Sequence, residues 1–237
     1  TAPLRTDRPG FDALALFLHG KGRPVGDAFA ALPAAWRARA RLPIAAGDFR
    51  AEGGRTTVVY TGDPRMARLI LVGIERRAGA LAWRLAAGRA ARAAAALSVR
   101  HLAIPAPPAD SSAGRRALAS ALAEGAILGT YRFDRFRTVR HTPPALRRIT
   151  VAVARAAEEA DVRAGTRRGA ILAACQCEAR DLIHLPSNEK PPARLAAAAR
   201  ALARRHALRF RALDVPALRR LGAGAILGVG QGSANPP

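Results

Sequence analysis

Ala13-Leu-Ala-Leu-Phe-Leu-His19, ended by Gly20-Lys-Gly22, and Arg68-Leu-Ile-Leu-Val-Gly73 are the stretches that decide the fold class. Both are apolar runs of strand length, and neither alternates apolar with polar residues as a half-exposed strand does. A strand that is apolar on both faces must be covered on both faces. A largely parallel sheet between helices meets that requirement. Thr56-Thr-Val-Val-Tyr-Thr61, stopped by Gly62-Asp-Pro64, reads as a further buried parallel strand, and so do Val99–Ile104 and Arg148–Val153. Between them, Gly79–Leu97 carries Trp83, Leu85 and spaced arginines in an alanine-rich helical pattern. Ser111 or Ser112 is placed to cap a second helix through Leu118, Leu122 and Ile127 towards Tyr131. Strands alternating with helices give βαβ units, so the fold class is α/β.

The pattern changes after Ala154. Residues 158–185 read as one long helix stopped by Pro186, and Pro192 opens another that ends near His206. Leu208-Arg-Phe-Arg-Ala-Leu213 alternates apolar and basic residues, which predicts a half-exposed strand. Residues 216–221 read as a short helix, followed by the glycine-rich Gly222–Pro237. The expected division is therefore one domain over 1–154 and a second segment over 155–237.

Composition narrows the classes of function. The chain has 237 residues and a formal net charge of +22, with lysine and arginine totalling 39 against 17 acidic residues. Lys21 and Lys190 are its only lysines. So basic a chain has the electrostatic footprint of a nucleic-acid binder. Arginine and alanine share GC-rich codons, however, and arginine in place of lysine on ordinary solvated faces gives the same footprint. Two cysteines, Cys175 and Cys177, exclude a disulfide-stapled scaffold. Half of the residues are hydrophobic, which excludes wholesale disorder. No run approaches the roughly 18–20 apolar residues of a membrane-spanning helix. Residues 1–10 lack the apolar centre of an export signal, and few cysteines fit a reducing cytoplasm.

The residues alone offer no catalytic machinery. His19, His101, His141, His184 and His206 form no i, i+4 pair with a carboxylate or another histidine. Cys175-Gln-Cys177 lacks a second pair and reads as two small buried residues on a helix. Asp110-Ser-Ser112 reads as a turn and cap, and Gly228–Ser233 lacks the strand–turn–helix context of a dinucleotide site. Tyr131-Arg-Phe-Asp-Arg-Phe136 interleaves aromatics with arginines as a base-stacking platform does. One such cluster is small for a nucleic-acid platform, and the favoured reading is aromatics closing a helix end, with Asp134 pairing the arginines.

Three segments together resemble the leucyl aminopeptidase (cytosol aminopeptidase) family. Ala123-Glu-Gly-Ala-Ile-Leu-Gly-Thr-Tyr-Arg-Phe-Asp-Arg-Phe136 is similar to the family's A-E-G-x-x-L-x-x-Y-x-F-D-x-Y helix. Ala179-Arg-Asp-Leu-Ile-His-Leu-Pro-Ser-Asn188, with Pro192 four residues on, resembles A-R-D-L-x-N-x-P-x-N-x-x-x-P. Leu221–Pro237 is similar to L-G-M-G-x-L-L-A-V-G-Q-G-S-x-x-P-P. The segments stand in family order and spacing. His184, Leu185 and Ser187 depart from the family's asparagine, threonine and proline, which bears on the local turn, where Asn188 is placed to bond its own backbone.

The resemblance implies a macro-domain-like N-terminal domain with a mainly parallel sheet between helices. A linker helix and the truncated start of an α/β catalytic domain then follow. It implies a cytoplasmic enzyme, assembled as a homo-hexamer, that uses two divalent metal ions, manganese or zinc, to remove N-terminal residues from peptides. The family's metal ligands and its catalytic lysine and arginine follow the S-x-x-P-P segment. No residue here is therefore assigned a catalytic, cofactor-binding or metal-binding role, and the chain by itself is expected to hold no metal and cleave no peptide. The alternative is a basic macro-like module that binds nucleic acid or acts as a scaffold. No membrane partner is expected.

Overall fold

A computed structural model describes the strand Ala2–Pro3 and residues 10–97, 99–138 and 146–235. The described chain divides into two compact units, Thr1–Glu178 and Ala179–Pro237.

The first unit is built on a sheet. In chain order its elements are β1 (Ala2–Pro3), β2 (Ala13–His19), β3 (Arg23–Pro24), α1 (Ala34–Ala45), β4 (Thr56–Tyr60), β5 (Arg68–Gly73) and α2 (Ala80–Ala95). Then come β6 (His101–Pro105), α3 (Ser112–Thr130), β7 (Arg148–Val153) and α4 (Glu159–His184), whose last turns belong to the second unit. The strand order is β1-β7-β6-β2-β5-β4, with β3 paired to β2 off that path. β1, β7, β6, β2 and β5 run parallel. The register of the central pair sets Leu14 beside Leu69 and Leu16 beside Leu71.

The two apolar runs explain the layering. Successive side chains on a strand point to opposite faces. Ala13, Ala15 and Phe17 of β2 and Ile70 and Val72 of β5 join a core with Trp83, Ala86, Ala90 and Leu122 from α2 and α3. Leu14, Leu16 and Leu18 with Leu69 and Leu71 join a second core with Phe29, Trp36, Ala40, Phe49 and Met66 on the α1 side. The sheet is thus covered on both faces, and the ring edge of Phe17 meets Trp83 at a centroid distance of 4.9 Å. Gly20 and Gly22, both at positive φ, turn the chain from β2 into β3.

Helices α2, α3 and α4 approach through glycines rather than large side chains. A Cβ on Gly125 would lie 1.9 Å from the Arg84 carbonyl oxygen of α2, and one on Gly169 2.1 Å from the Ser120 carbonyl oxygen of α3. The Ser111 hydroxyl caps α3 by accepting the Gly114 N–H at 3.1 Å. Asp161 joins the starts of α3 and α4. It accepts the Ser112 hydroxyl at 2.6 Å, Arg115 Nε at 3.1 Å and Arg116 Nη1 at 2.8 Å.

Two expectations change, and one helix appears that was not expected. β4 is not a buried parallel strand: it pairs antiparallel with β5 at the sheet edge, half exposed, so its β-branched residues cover only one face. α1, which the sequence pattern does not announce, buries only Trp36 and Ala40. Residues 208–213 form no strand; among the described residues they find no strand to pair with, and Phe210 lies under the Arg200 guanidinium instead.

In the second unit, α4 ends at His184, followed by α5 (Pro192–Arg205), α6 (Val215–Arg220) and α7 (Gly224–Gly230). The glycine-rich tail is therefore partly helical, which its glycines did not suggest. Leu185, Ala203 and Leu218 are buried there, whereas Leu195, Leu208, Leu221, Ile226 and Val229 are exposed.

Candidate functional site

The A-E-G segment proves to be an organising node. Glu124 is buried on α3, and its Oε1 accepts Arg84 Nη1 of α2 at 2.9 Å and the side-chain amide of Gln176 on α4. One carboxylate thus ties three helices, and the adjacent Gly125 is required because α2 backbone occupies the place of its Cβ. The alanine–glutamate–glycine order fits this packing, so the segment's role here is structural.

Tyr131–Phe136 closes the end of α3. Phe133 and Phe136 pack at a centroid distance of 5.9 Å, and Asp134 pairs with Arg132 at 3.2 Å and Arg137 at 3.3 Å. The Arg135 guanidinium lies 5.4 Å from the Phe136 ring centre. Its arginines and aromatics engage one another locally, which is the helix-closing arrangement.

In Ala179–Asn188, His184 ends α4 and Asn188 lies in a 3₁₀ turn over Ser187–Glu189. The turn is closed by backbone bonds, from the Glu189 N–H to the Pro186 carbonyl (3.0 Å) and from the Lys190 N–H to the Ser187 carbonyl (3.1 Å). Lys190 Nζ donates to the Ile183 carbonyl at 3.1 Å. Leu185 is buried, which suits an apolar residue at that position.

The histidines stay apart. His101 bonds the Thr150 hydroxyl at 2.7 Å and packs edge-on against Phe11. Burial lowers its pKa below the ordinary histidine value, outweighing the Gly10 backbone bond that raises it. His184 and His206 are exposed, and His141 lies outside the described residues. Cys175 is exposed and Cys177 half-buried, so they are not the buried pair expected; α4 packs on α3 through Val162, Gly165, Gly169 and Ala173 instead. Among the described residues, no three His, Cys, Asp or Glu side chains come together in a group able to hold a metal ion.

The location where open α/β sheets take ligands, beyond the carboxyl ends of the strands, holds a cleft of about 420 Å³. Val25, Glu75, Arg76, Arg77, Trp83 and Pro108 line it beside the N-terminus of α2. It offers one carboxylate and two guanidinium groups, with no histidine, cysteine or serine to act as base or nucleophile. No helix among the described residues is long and apolar enough to cross a membrane.

Residues 14–140 match the N-terminal domain of the cytosol aminopeptidase family, and residues 177–237 match its catalytic domain. A probable cytosol aminopeptidase of Chlorobaculum tepidum is 32% identical over 206 residues, covering 81% of this chain and 41% of the relative. One of Mycobacterium leprae is 36% identical over 156 residues, covering 65% of this chain and 28% of the relative. The chain therefore spans less than half the length of these curated relatives. Among solved structures, the bottromycin maturation enzyme BotP in complex with Mn is 29% identical with a TM-score of 0.70, covering 95% of this chain and 43% of that one. A tomato leucine aminopeptidase mutant has a TM-score of 0.78 at 22% identity, covering 100% of this chain and 50% of that one, a likeness of fold.

Proposed function

The chain belongs to the cytosol aminopeptidase family, and we propose that it serves as the N-terminal portion of a metal-dependent aminopeptidase that removes N-terminal residues from peptides. The observation that carries this reading is that the family's two domains match in order, over residues 14–140 and 177–237. In this reading residues 1–154 are the first domain, α4 is the linker, and 155–237 open the catalytic domain. The whole enzyme is cytoplasmic and a homo-hexamer, and it uses two manganese or zinc ions. A metal pair in such an enzyme polarises the scissile carbonyl and activates the attacking water. The residues present here do not fit that role, because the described part brings no such group of ligands together. What this chain supplies is the layered first unit and the helix that leads from it.

The test uses leucyl-p-nitroanilide with manganese added. The 237-residue chain is expected to release no nitroaniline. A chimaera joining Pro237 to the remaining catalytic segment of the Chlorobaculum tepidum relative is expected to release it. Turnover by the isolated chain, or a folded hexameric chimaera without activity, would contradict the proposal.

A second reading, a basic module that binds nucleic acid, is favoured by the net charge of +22. Filter binding against salt separates the two. Affinity falling steeply with salt reports several phosphate contacts, whereas weak binding even at low salt reports arginine-rich composition alone.

A further inference from the structure

The cleft beside the N-terminus of α2 is built from the turn that follows β5. Glu75 lies two residues past the strand, and Arg76 and Arg77 form the turn into the helix. All three are exposed and line the cleft, and none makes an ion pair among the described residues. Val25 and Leu118 supply apolar wall. Gly79 caps α2 without a side chain, and the first turn of that helix holds no acidic residue. Neither a capping side chain nor a carboxylate of its own therefore offsets the positive end of α2. Trp83 adds an independent sign. It is only 5% exposed, yet it lines the cleft, and its indole N–H has no hydrogen-bond partner among the described residues. A buried tryptophan N–H ordinarily has such a partner. This one is not sealed from solvent, and the cleft is the opening that the residue lines.

We propose that this cleft binds a small phosphate monoester that also carries hydroxyl groups. The phosphate is held by Arg76, Arg77 and the amides at the start of α2, because guanidinium groups bond phosphate oxygens in pairs and a helix N-terminus adds backbone donors. The Trp83 indole N–H is a further donor in need of an acceptor oxygen. Donors thus prevail in the cleft, which selects an oxygen-rich anion. Glu75 is the exception. An ionised carboxylate only accepts, so it opposes bare phosphate but takes the proton of a hydroxyl. A ligand with phosphate at one end and hydroxyls at the other satisfies both. The volume of about 420 Å³ lies within the roughly 300–1,000 Å³ of small-molecule sites. A terminal monoester carries about −1.5 to −2 at pH 7, against a single charge on each phosphate of nucleic acid. The walls of the cleft lie within the stretch that matches the family's N-terminal domain. The proposal goes beyond the peptidase reading, since it concerns binding in the first domain and not hydrolysis.

The probes are ribose 5-phosphate, inorganic phosphate and unphosphorylated ribose, added to the isotope-labelled full chain near physiological salt. Trp36 and Trp83 are its only tryptophans, so the two indole N–H signals report separately. Ribose 5-phosphate is expected to move the Trp83 signal and to leave that of Trp36, in the core on the other face of the sheet, in place. Ribose is expected to move neither. By calorimetry, Arg76→Ala with Arg77→Ala should weaken ribose 5-phosphate binding about tenfold or more. Removing the same charge at Arg167 and Arg168 of α4 should weaken it less than about twofold. Glu75→Gln should weaken ribose 5-phosphate but tighten inorganic phosphate. Circular dichroism checks that each variant folds. Binding is expected to persist in the chimaera that carries the remaining catalytic segment. The proposal is overturned if the Trp83 signal stays in place, if ribose binds as well as its phosphate, or if the two arginine pairs behave alike. Glu75→Gln shifting both ligands in one direction would also overturn it. So would loss of binding in the folded chimaera, because the rest of the enzyme or another subunit would then fill the cleft. Nitroaniline release by the chimaera reports on the peptidase reading alone, so the two proposals fail separately.

Discussion

At the scale of single residues, Glu124, Asp161 and His101 show what buried or half-buried polar groups do in this chain. Glu124 and Asp161 hold helices together, each carboxylate accepting from side chains on elements distant in sequence. The Ser112 hydroxyl, helped by Arg115 and Arg116, keeps the Asp161 carboxyl below the ordinary carboxylate range. His101 is the opposite case, because burial favours its neutral ring. Its folded-state pKa is depressed, so the unfolded chain binds more protons between that value and about 6.5. Stability therefore rises with pH across this window, and the contribution is lost as pH falls through the folded-state pKa. A proton NMR titration is expected to place the His101 ring midpoint below 6.5, and a midpoint at or above that value would contradict the burial argument.

At the scale of elements, the α2–α3–α4 stack depends on small residues where helices touch. Alanine and glycine give these helices little hydrophobic area, so backbone proximity replaces side-chain interdigitation. Gly125→Ala tests this directly. In an exposed helix the change would stabilise by about 1 kcal/mol through propensity. Here the new methyl meets the Arg84 carbonyl oxygen, a backbone atom that cannot swing aside. The expected net outcome is destabilisation of about 1–3 kcal/mol, the usual range for overpacking, read as a lower urea midpoint. An unchanged or higher midpoint would show that α2 and α3 separate without cost. The strands were legible where chemistry was concentrated: β2, β5 and β7 follow the apolar runs closely. α1 was not legible, because Trp36-Arg-Ala-Arg-Ala-Arg-Leu-Pro43 alternates without a wide apolar face, and only its docking onto the sheet makes it a helix. The pairing of β4 was not legible either, since a β-branched run suits parallel and antiparallel edges alike.

At the scale of the molecule, the two units differ in how completely each buries its apolar residues. The first encloses two cores, one on each face of the sheet. The second buries Leu185, Ala203 and Leu218 but leaves Leu195, Leu208, Leu221, Ile226 and Val229 in solvent. Local opening has the lowest free energy where few apolar contacts must be broken. Limited proteolysis is therefore expected to cut within residues 186–235 first and to leave a fragment containing residues 10–178. Early loss of the N-terminal half with survival of the C-terminal part would reverse this ranking. The sequence by itself determined the α/β class, the long helix after Ala154 and membership of the aminopeptidase family, because apolar runs, prolines and motif spacing are local properties that no partner alters. It also left the chain without an assigned catalytic residue. Only the tertiary structure decided the structural part played by Glu124 and Gly125, the antiparallel edge, the absence of a strand over 208–213 and the exposure of Cys175 on α4. Each of these depends on which backbone or side chain stands opposite, and residues such as Arg84, Glu124 and Gln176, far apart along the chain, become neighbours only when the helices stack.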